Sequence, residues 1–578
     1  DRRLAPDQTK CGRCRHHCDP IFPYLDRWPQ TTPPMMDAEK SAVVETSSVS
    51  AKSPDSYLSG WQLAAVIFSL FLGVFVVSLD TSIIGVVIPS ISSHFHALDD
   101  AAWYGSAYLL TITAFQPLMG SMYKFFKVEL VFQICLVVFE VGSILCAAAT
   151  NSAMFVVGRA IAGTGAAGIL QGTLSIIAIT VVLEKRPLYQ GIVISVFVIS
   201  VCVGPVLGGA FTTHGIWRWC FWINVPIGGV TLILLLFVLR IRNAANDNRS
   251  LPLKVKLQHM DPIGCVVFIG AVCCLLLALQ WGGQTKPWHS ATIIGLFVGF
   301  GLLSILFVGI QVWRKERALI PLRVLRQRSI WTSGGVLFCL GSATYAVTYY
   351  MPYYFQAVQG ADAVHSGVDL IAVFIPQMLA VIVTSALVTQ WGYYVPYMIV
   401  GELICIAGTV LLTRLKVESS TVYWAAALVV HGLGMGLAMQ LPYTAVNVVL
   451  HEDDVPTGNA IAVFVWQLGG ALSIAISQTI SLNNILREVP RQIPELSPER
   501  VMSWGASNLE ALAPTADALI ELRSIWCTSV SHVMIFALAC ICASVLFTAG
   551  MEWLNAKKVA NQRREAGGGG GQTGVGLV

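Results

Sequence analysis

Fourteen apolar stretches, each near the roughly 20 residues that a helix needs to cross a bilayer, run through this chain of 578 residues. They lie near 61–84, 102–122, 130–149, 154–182, 189–211, 219–240, 262–281, 291–312, 331–351, 367–388, 395–413, 422–442, 459–480 and 529–550. Backbone amides and carbonyls inside hydrocarbon must be satisfied within their own segment, so stretches of this length fold as helices. The expected fold is an all-α integral membrane protein with fourteen transmembrane helices. Charged residues make up only 12% of the chain, about half the share in soluble domains, which excludes an ordinary water-soluble enzyme. The net charge of +4 is small, and its placement carries the information. Loops after the second, fourth, sixth and eighth stretches hold Lys124, Lys127, Lys185, Arg186, Arg240, Arg242, Lys254, Arg314 and Arg323. The opposite loops hold far fewer, which puts both termini in the cytoplasm. Nothing in this pattern suits nucleic acid.

The segments outside the apolar stretches carry little chemistry. The chain starts at Asp1 and contains Cys11, Cys14, His16, His17 and Cys18 before Met35 and Met36. These are zinc-ligand types, but their crowding leaves no loop to wrap a metal. Residues 1–60 are expected to form a disordered cytoplasmic tail, with translation starting at Met35 or Met36, and no metal or cofactor is expected. No secretory signal peptide precedes the first span, which would serve as its own signal. Most of the fifteen cysteines lie inside apolar runs, where thiols act as small hydrophobes, so no disulfide framework is expected. Arg487 to Thr528, with Pro490, Pro494, Pro498 and Pro514, reads as an external loop, and the five glycines of Gly567 to Gly571 as part of a flexible cytoplasmic tail over 551–578.

Charges at membrane depth are costly and need a partner, water or a function. Asp80 lies well along the first stretch and Arg159 along the fourth, both in the outer half of the bilayer. An opposite charge favours the ionised carboxylate, and an apolar surrounding favours the protonated one. A helix movement that alternates the two would couple proton binding to conformation; a fixed ion pair holding two helices in register is the other reading. Glu140 and Glu402 are the remaining carboxylates inside spans, and His431 sits among Gly432, Gly434 and Gly436. Tyr108, Gln116, Gln171, Asn224, Tyr345, Tyr349, Gln377, Gln440, Asn447 and Gln467 are dispersed polar groups suited to a cavity for an apolar ligand. Gly204, Pro205, Gly208 and Gly209 in the fifth stretch remove one backbone hydrogen bond and strip side chains from one face, so that helix is expected to bend and make a tight contact with the carboxy-terminal half. Gly163, Gly165 and Gly168 lie inside a span without a preceding strand, and make no nucleotide loop.

Several of these runs resemble one family. The spacing G-P-x-x-G-G from Gly204 to Gly209 resembles the antiporter motif of major facilitator superfamily exporters, and Trp217 to Gly228 resembles the opening of the next helix in their fourteen-span drug:proton antiporter branch. Leu79 to Pro89 is similar to that branch's L-D-x-T-I-V-N-V-A-L-P signature, Gly158 to Gly168 to its arginine-and-glycine motif, and Trp103 to Thr111 to its fungal members. One run departs: in Gly120 to Glu129, Lys124 stands where the superfamily's signature has an aspartate, which puts the associated cytoplasmic charge lock in doubt.

The resemblance implies two six-helix bundles, over 61–240 and 313–550, with the linker and two inserted spans over 241–312 between them, although no sequence repeat is visible between the halves. It also implies a monomeric, proton-coupled pump in the plasma or vacuolar membrane. Its substrate would be a small apolar or amphipathic secondary metabolite, toxin or drug, with Asp80 and Arg159 in proton coupling and the Gly204 to Gly209 helix in gating. Among the polar groups, Tyr108, Gln116, Gln171, Asn224, Tyr345, Gln377 and Gln467 are the cavity candidates. The alternatives are a fourteen-span importer of a siderophore or other small molecule, and a transporter-like receptor or membrane enzyme.

Overall fold

Helices are the only extended regular elements among the described residues of the computed structural model, which are 60–97, 100–238, 251–283, 286–497, 500–501, 509–513 and 515–568. The Cys11 to Cys18 cluster, Met35 and Met36 lie outside them. The first six apolar stretches fold as α1 (Gly60–Phe95), α2 (Ala101–Phe125), α3 (Val128–Ala147), α4 (Ser152–Thr180), a fifth span built from α5 (Arg186–Ile194) and α6 (Val196–Thr213), and α7 (Asn224–Val238). A short α8 (Leu253–His259) precedes the inserted pair α9 (Pro262–Trp281) and α10 (Ala291–Arg314). The remaining spans are α11 (Arg328–Tyr353), α12 (Ala363–Asp369) with α13 (Ile371–Trp391), α14 (Val395–Thr413), α15 (Thr421–Ala438) with α16 (Leu441–Val449), α17 (Val455–Gln492) and α18 (Ala516–Ala549), followed by α19 (Ala556–Gly568).

Local sequence explains several boundaries. Asn151 opens α4 by accepting from the Met154 amide at 2.8 Å, and Thr515 opens α18 by accepting from the Ala518 amide at 3.2 Å. Each satisfies an amide that the helix itself leaves unpaired. Asp261 does the same for α9, taking the Gly264 amide at 2.9 Å ahead of Pro262, whose missing N–H costs nothing at a first helical position.

Thirteen helices or helix runs among the described residues are long and apolar enough to cross a membrane. The expected second span is the exception: α2 is 25 residues long, but its tyrosines, threonines and Gln116 lower its hydropathy. It faces protein on several sides, against α4, α9 and α17, so it needs less apolar surface than a lipid-facing helix.

The two sets of six spans pack alike, although their sequences show no visible repeat. In the first set the third helix lies on the fourth, the second on the fourth, the first on the fifth and sixth, and the third on the sixth. The second set repeats every one of these pairings, with α11 as its first helix and α18 as its sixth. Each set has its own apolar core, one around Phe132, Phe139 and Ile177 and the other around Met398, Leu428 and Met534. A further core joins them through Leu174, Phe268, Leu337 and Val446. The inserted helices differ from each other. α9 packs between α2 and α10 and buries Cys265, Phe268, Val272 and Leu275, whereas α10 buries Ile293 and Gln311 and leaves most of its side chains half-buried or exposed.

Two expectations need correction. The loop expected over 487–528 is shorter, because α17 runs on to Gln492 and α18 begins at Ala516, and Leu509 and Leu512 between them are buried rather than displayed. The tail expected to be flexible from 551 contains α19, held where Ala556 N donates to Gly392 O at 2.9 Å and Arg563 donates to Val448 O and Leu450 O at 2.6 and 3.0 Å. Basic side chains that satisfy the last carbonyls of a helix fix both partners, and the glycine-rich composition gives no sign of this docking.

Candidate functional site

Asp80 and Arg159 form an ion pair in a fully buried setting. The Arg159 guanidinium also donates from Nε to Tyr104 O at 2.8 Å and lies 4.3 Å from the centre of the Tyr108 ring. The other Asp80 oxygen accepts from Asn224 Nδ2 at 3.4 Å, and the same nitrogen lies 3.3 Å from Ser143 Oγ. Four helices, α1, α2, α4 and α7, thus meet on one carboxylate and one guanidinium, and α3 joins them through Asn224. Arginine's fixed fork suits this shared duty, because it holds several acceptors at once. Four of the residues expected to matter, Asp80, Arg159, Tyr108 and Asn224, are brought together.

Glu140 extends this assembly by one helical turn. It lies three residues before Ser143 on α3, and its carboxyl meets Gly228, four residues after Asn224 on α7, where any side chain would collide with it. Neither carboxyl oxygen accepts a hydrogen bond among the described residues. Glu402 in the second set is different, accepting from Thr548 Oγ1 at 2.7 Å. His431 is buried with Nδ1 at 2.8 Å from Thr409 Oγ1, a contact between neighbouring helices.

The remaining cavity candidates separate. Gln171 donates to Pro456 O at 2.7 Å and so ties α4 to α17. Gln377 faces the Met439 sulfur at 3.0 Å. Gln116 is buried with neither amide atom bonded among the described residues. Tyr345 donates to Gln467 Oε1 at 3.0 Å, and both line a cleft between α2, α9, α11 and α17.

The end of the molecule that carries the basic loops is closed. Lys124, in the last turn of α2, donates to Asp454 at 2.9 Å, and Arg323 reaches the same carboxylate at 2.8 Å. Arg186 lies 3.5 Å from Glu452. The charge lock that the departing motif put in doubt is therefore present with its signs reversed: the cation sits on the first set of spans and the carboxylate on the second. Burial works against the charge of Asp454, but Lys124 and Arg323 outweigh it and hold its carboxyl below the usual carboxylate range. No local motif announces Asp454; the acidic run H-E-D-D at 451–454, set against the conspicuous basic loops, was the available signal.

Glycines seal this end as well, but not those expected to. A side chain at Gly120 would strike Ala460 and come within 3.2 Å of Pro456 O, and one at Gly191 would strike Ser385. Gly204 and Gly208 instead pack on α1, where a Cβ would stand 2.6 Å from Ser82 Cβ and 3.4 Å from Val87 Cγ2. Pro205 of that motif meets the second set, opposite Gly367. For Gly204 and Gly208 the expectation of contact with the carboxy-terminal half is corrected: they bring α6 close to α1.

The profile of the Major Facilitator Superfamily matches residues 70–474, most of the spanning region just described. The chain belongs to the Major Facilitator Superfamily. The chain is 40% identical over 509 residues to "Efflux pump aflT" of Aspergillus parasiticus, covering 88% of this chain and 99% of that protein. It is also 40% identical over 502 residues to "MFS-type efflux pump MFS1" of Trichophyton rubrum, covering 87% and 93%. Among solved structures, the proton:xylose symporter XylE superposes with a TM-score of 0.54 at 14% identity, covering 86% of this chain and 98% of XylE. The human organic anion transporter MFSD10 gives 0.53 at 13%, covering 84% and 100%. At that identity the two structures share the superfamily fold and nothing more specific. The protein is thus a multi-pass membrane transporter and not an enzyme.

Proposed function

We propose that this superfamily member is a proton-coupled efflux pump, monomeric and resident in the plasma membrane, that exports a small apolar or amphipathic metabolite, toxin or drug. The observation that carries the reading is the 40% identity to an efflux pump over 99% of that protein's length. The halves, over 61–240 and 313–550, would rock about a site at their interface, with the basic end cytoplasmic and the 241–312 insertion riding beside them. Asp80 supplies the coupling. Paired with Arg159 it is ionised; when movement of α4 draws the guanidinium away, the same buried carboxylate loses its compensation and takes a proton. Return of Arg159 displaces that proton toward the opposite side. Asn224, itself close to Ser143, holds the other carboxyl oxygen in place meanwhile, and the Gly204 to Gly208 face lets α6 slide along α1.

The test is transport in inside-out vesicles holding the purified chain, with a neutral fluorescent apolar dye and an imposed pH gradient. Uptake into the vesicles that follows the gradient and stops when it is collapsed supports the reading. Gradient-driven movement of the dye in the opposite direction would replace it with an importer.

A further inference from the structure

We infer that the outer part of α9, the first inserted span, is one wall of a binding subsite for a neutral, flat, apolar molecule carrying carbonyl or hydroxyl oxygens; the inference rests on the efflux reading for its physiological meaning. The subsite is the cleft bounded by α2, α9, α11 and α17, whose cavity volume of about 90 Å³ is below the roughly 300–1,000 Å³ of ordinary ligand pockets, so a ligand enters it by parting the helices that line it. Both halves contribute to it: Ser106 and Thr113 come from α2, and Tyr345 and Gln467 from α11 and α17. α9 adds Leu277 and Gln280 from its last two turns. No lining residue is charged, so an ion would enter without compensation, whereas a ligand with a few oxygens among apolar rings finds leucine surface and amide or hydroxyl partners.

α9 is fixed well enough to act as a wall. At its inner end Asp261, fully buried, accepts from Gln311 at 3.0 Å and from Arg314 at 3.2 Å on α10, and caps α9 itself. Further along, Phe268 meets Phe464 of α17 edge-on, with ring centres 5.1 Å apart. At the outer end Trp281 stands edge-on to Trp103 of α2 at 5.8 Å, closing the cleft between those helices. The Tyr345 to Gln467 hydrogen bond crosses the cleft between two helices of the second set, so it is the contact that a ligand oxygen would join or replace. An insertion serving only as a spacer would need neither Gln280 at its outer turn nor these anchors.

The experiment uses the full chain in phosphatidylcholine nanodiscs, with 1,8-dihydroxyanthraquinone as the probe and equilibrium dialysis against empty discs as the readout. Leu277→Trp and Ala471→Trp fill the cleft from two sides, and Gln467→Leu removes a polar partner without filling it. Ile305→Trp, on the outward face of α10, is the control. Saturable binding is expected, weakened about tenfold or more by either filling variant, a few-fold by Gln467→Leu, and unchanged by the control. Equal affinity in the filled variants, or no saturable binding to the unaltered chain, overturns the proposal. Full displacement by hexadecane, which has no oxygen, also overturns it by making the cleft a niche for lipid chains. A protein that binds this way but moves no dye in vesicles would sink the efflux reading alone; one that pumps while its filled variants bind normally would sink the subsite alone.

Discussion

Asp454 receives Lys124 and Arg323 while only 3% exposed, so removing the carboxylate leaves two cations without this partner, and removing Lys124 leaves the carboxylate on Arg323 alone. Lys124→Asp should place two carboxylates together and weaken closure of the basic end by about 1–3 kcal/mol, read as a several-fold loss of transport. The swap Lys124→Asp with Asp454→Lys should recover part of it, since the new lysine also faces Arg323, and a double variant no better than the single one would mean that the pair does not hold the halves. Because the carboxyl of Asp454 is held below its ordinary value near 3.8, its contribution is complete above that value and is lost only as pH falls through the lower folded one. The lock is therefore expected to stay charged between about pH 5 and 8, and the pH dependence of transport should be the same in the swapped protein as in the original. Asp80 is the contrasting case. Asp80→Asn keeps the hydrogen bond to Asn224 but can neither pair with Arg159 as an anion nor take up a proton, so it should abolish gradient-driven export while leaving the protein in the membrane. Normal accumulation in that variant would move the coupling role to Glu140, whose carboxyl lies one turn from Ser143 without a partner among the described residues.

At the scale of elements, α19 touches both halves: Arg563 binds the end of α16, and the helix packs on residues 183–185 of the first set. Ending the chain at Asn555 should remove a contact worth about 1–2 kcal/mol and raise the turnover rate modestly if opening of the basic end limits it; vesicle transport at saturating dye reads this, and unchanged kinetics would make α19 a passive cap. Glycines give a sharper contrast. Gly120→Leu should block closure between the halves and abolish transport, whereas Gly208→Leu should disturb packing of α6 on α1 within one half and lower thermal stability as well as transport. Equal effects of both on transport at unchanged melting temperature would contradict this division of roles.

For the whole molecule, export to protect the cell predicts that deleting the gene raises the intracellular level of the exported compound and sensitivity to it, and that an uncoupler does the same in the intact strain. Lower uptake of an external iron chelate or nutrient, with efflux unaltered, would favour the importer instead. Much of this protein is legible in its amino-acid sequence. Length and hydropathy of the apolar runs fix the number of helices to within α2, because hydrocarbon leaves the backbone no alternative, and the spacing of basic loops supplies the expected orientation, because the charge bias acts on individual loops. The buried charges Asp80 and Arg159 stand out for the same reason: an ion inside an apolar run is conspicuous wherever it pairs. What the chain alone does not disclose depends on residues distant in sequence. The repeated packing of the two halves is carried by helix geometry that many sequences satisfy, so it leaves no visible repeat. The reversed lock needs Lys124 and Asp454, 330 positions apart, and the cleft needs four helices at once. Which glycines touch which helix, and whether a polar tail lies free or docks on exposed carbonyls, is decided by tertiary contact, since close approach requires small residues on one side and says nothing about the partner on the other.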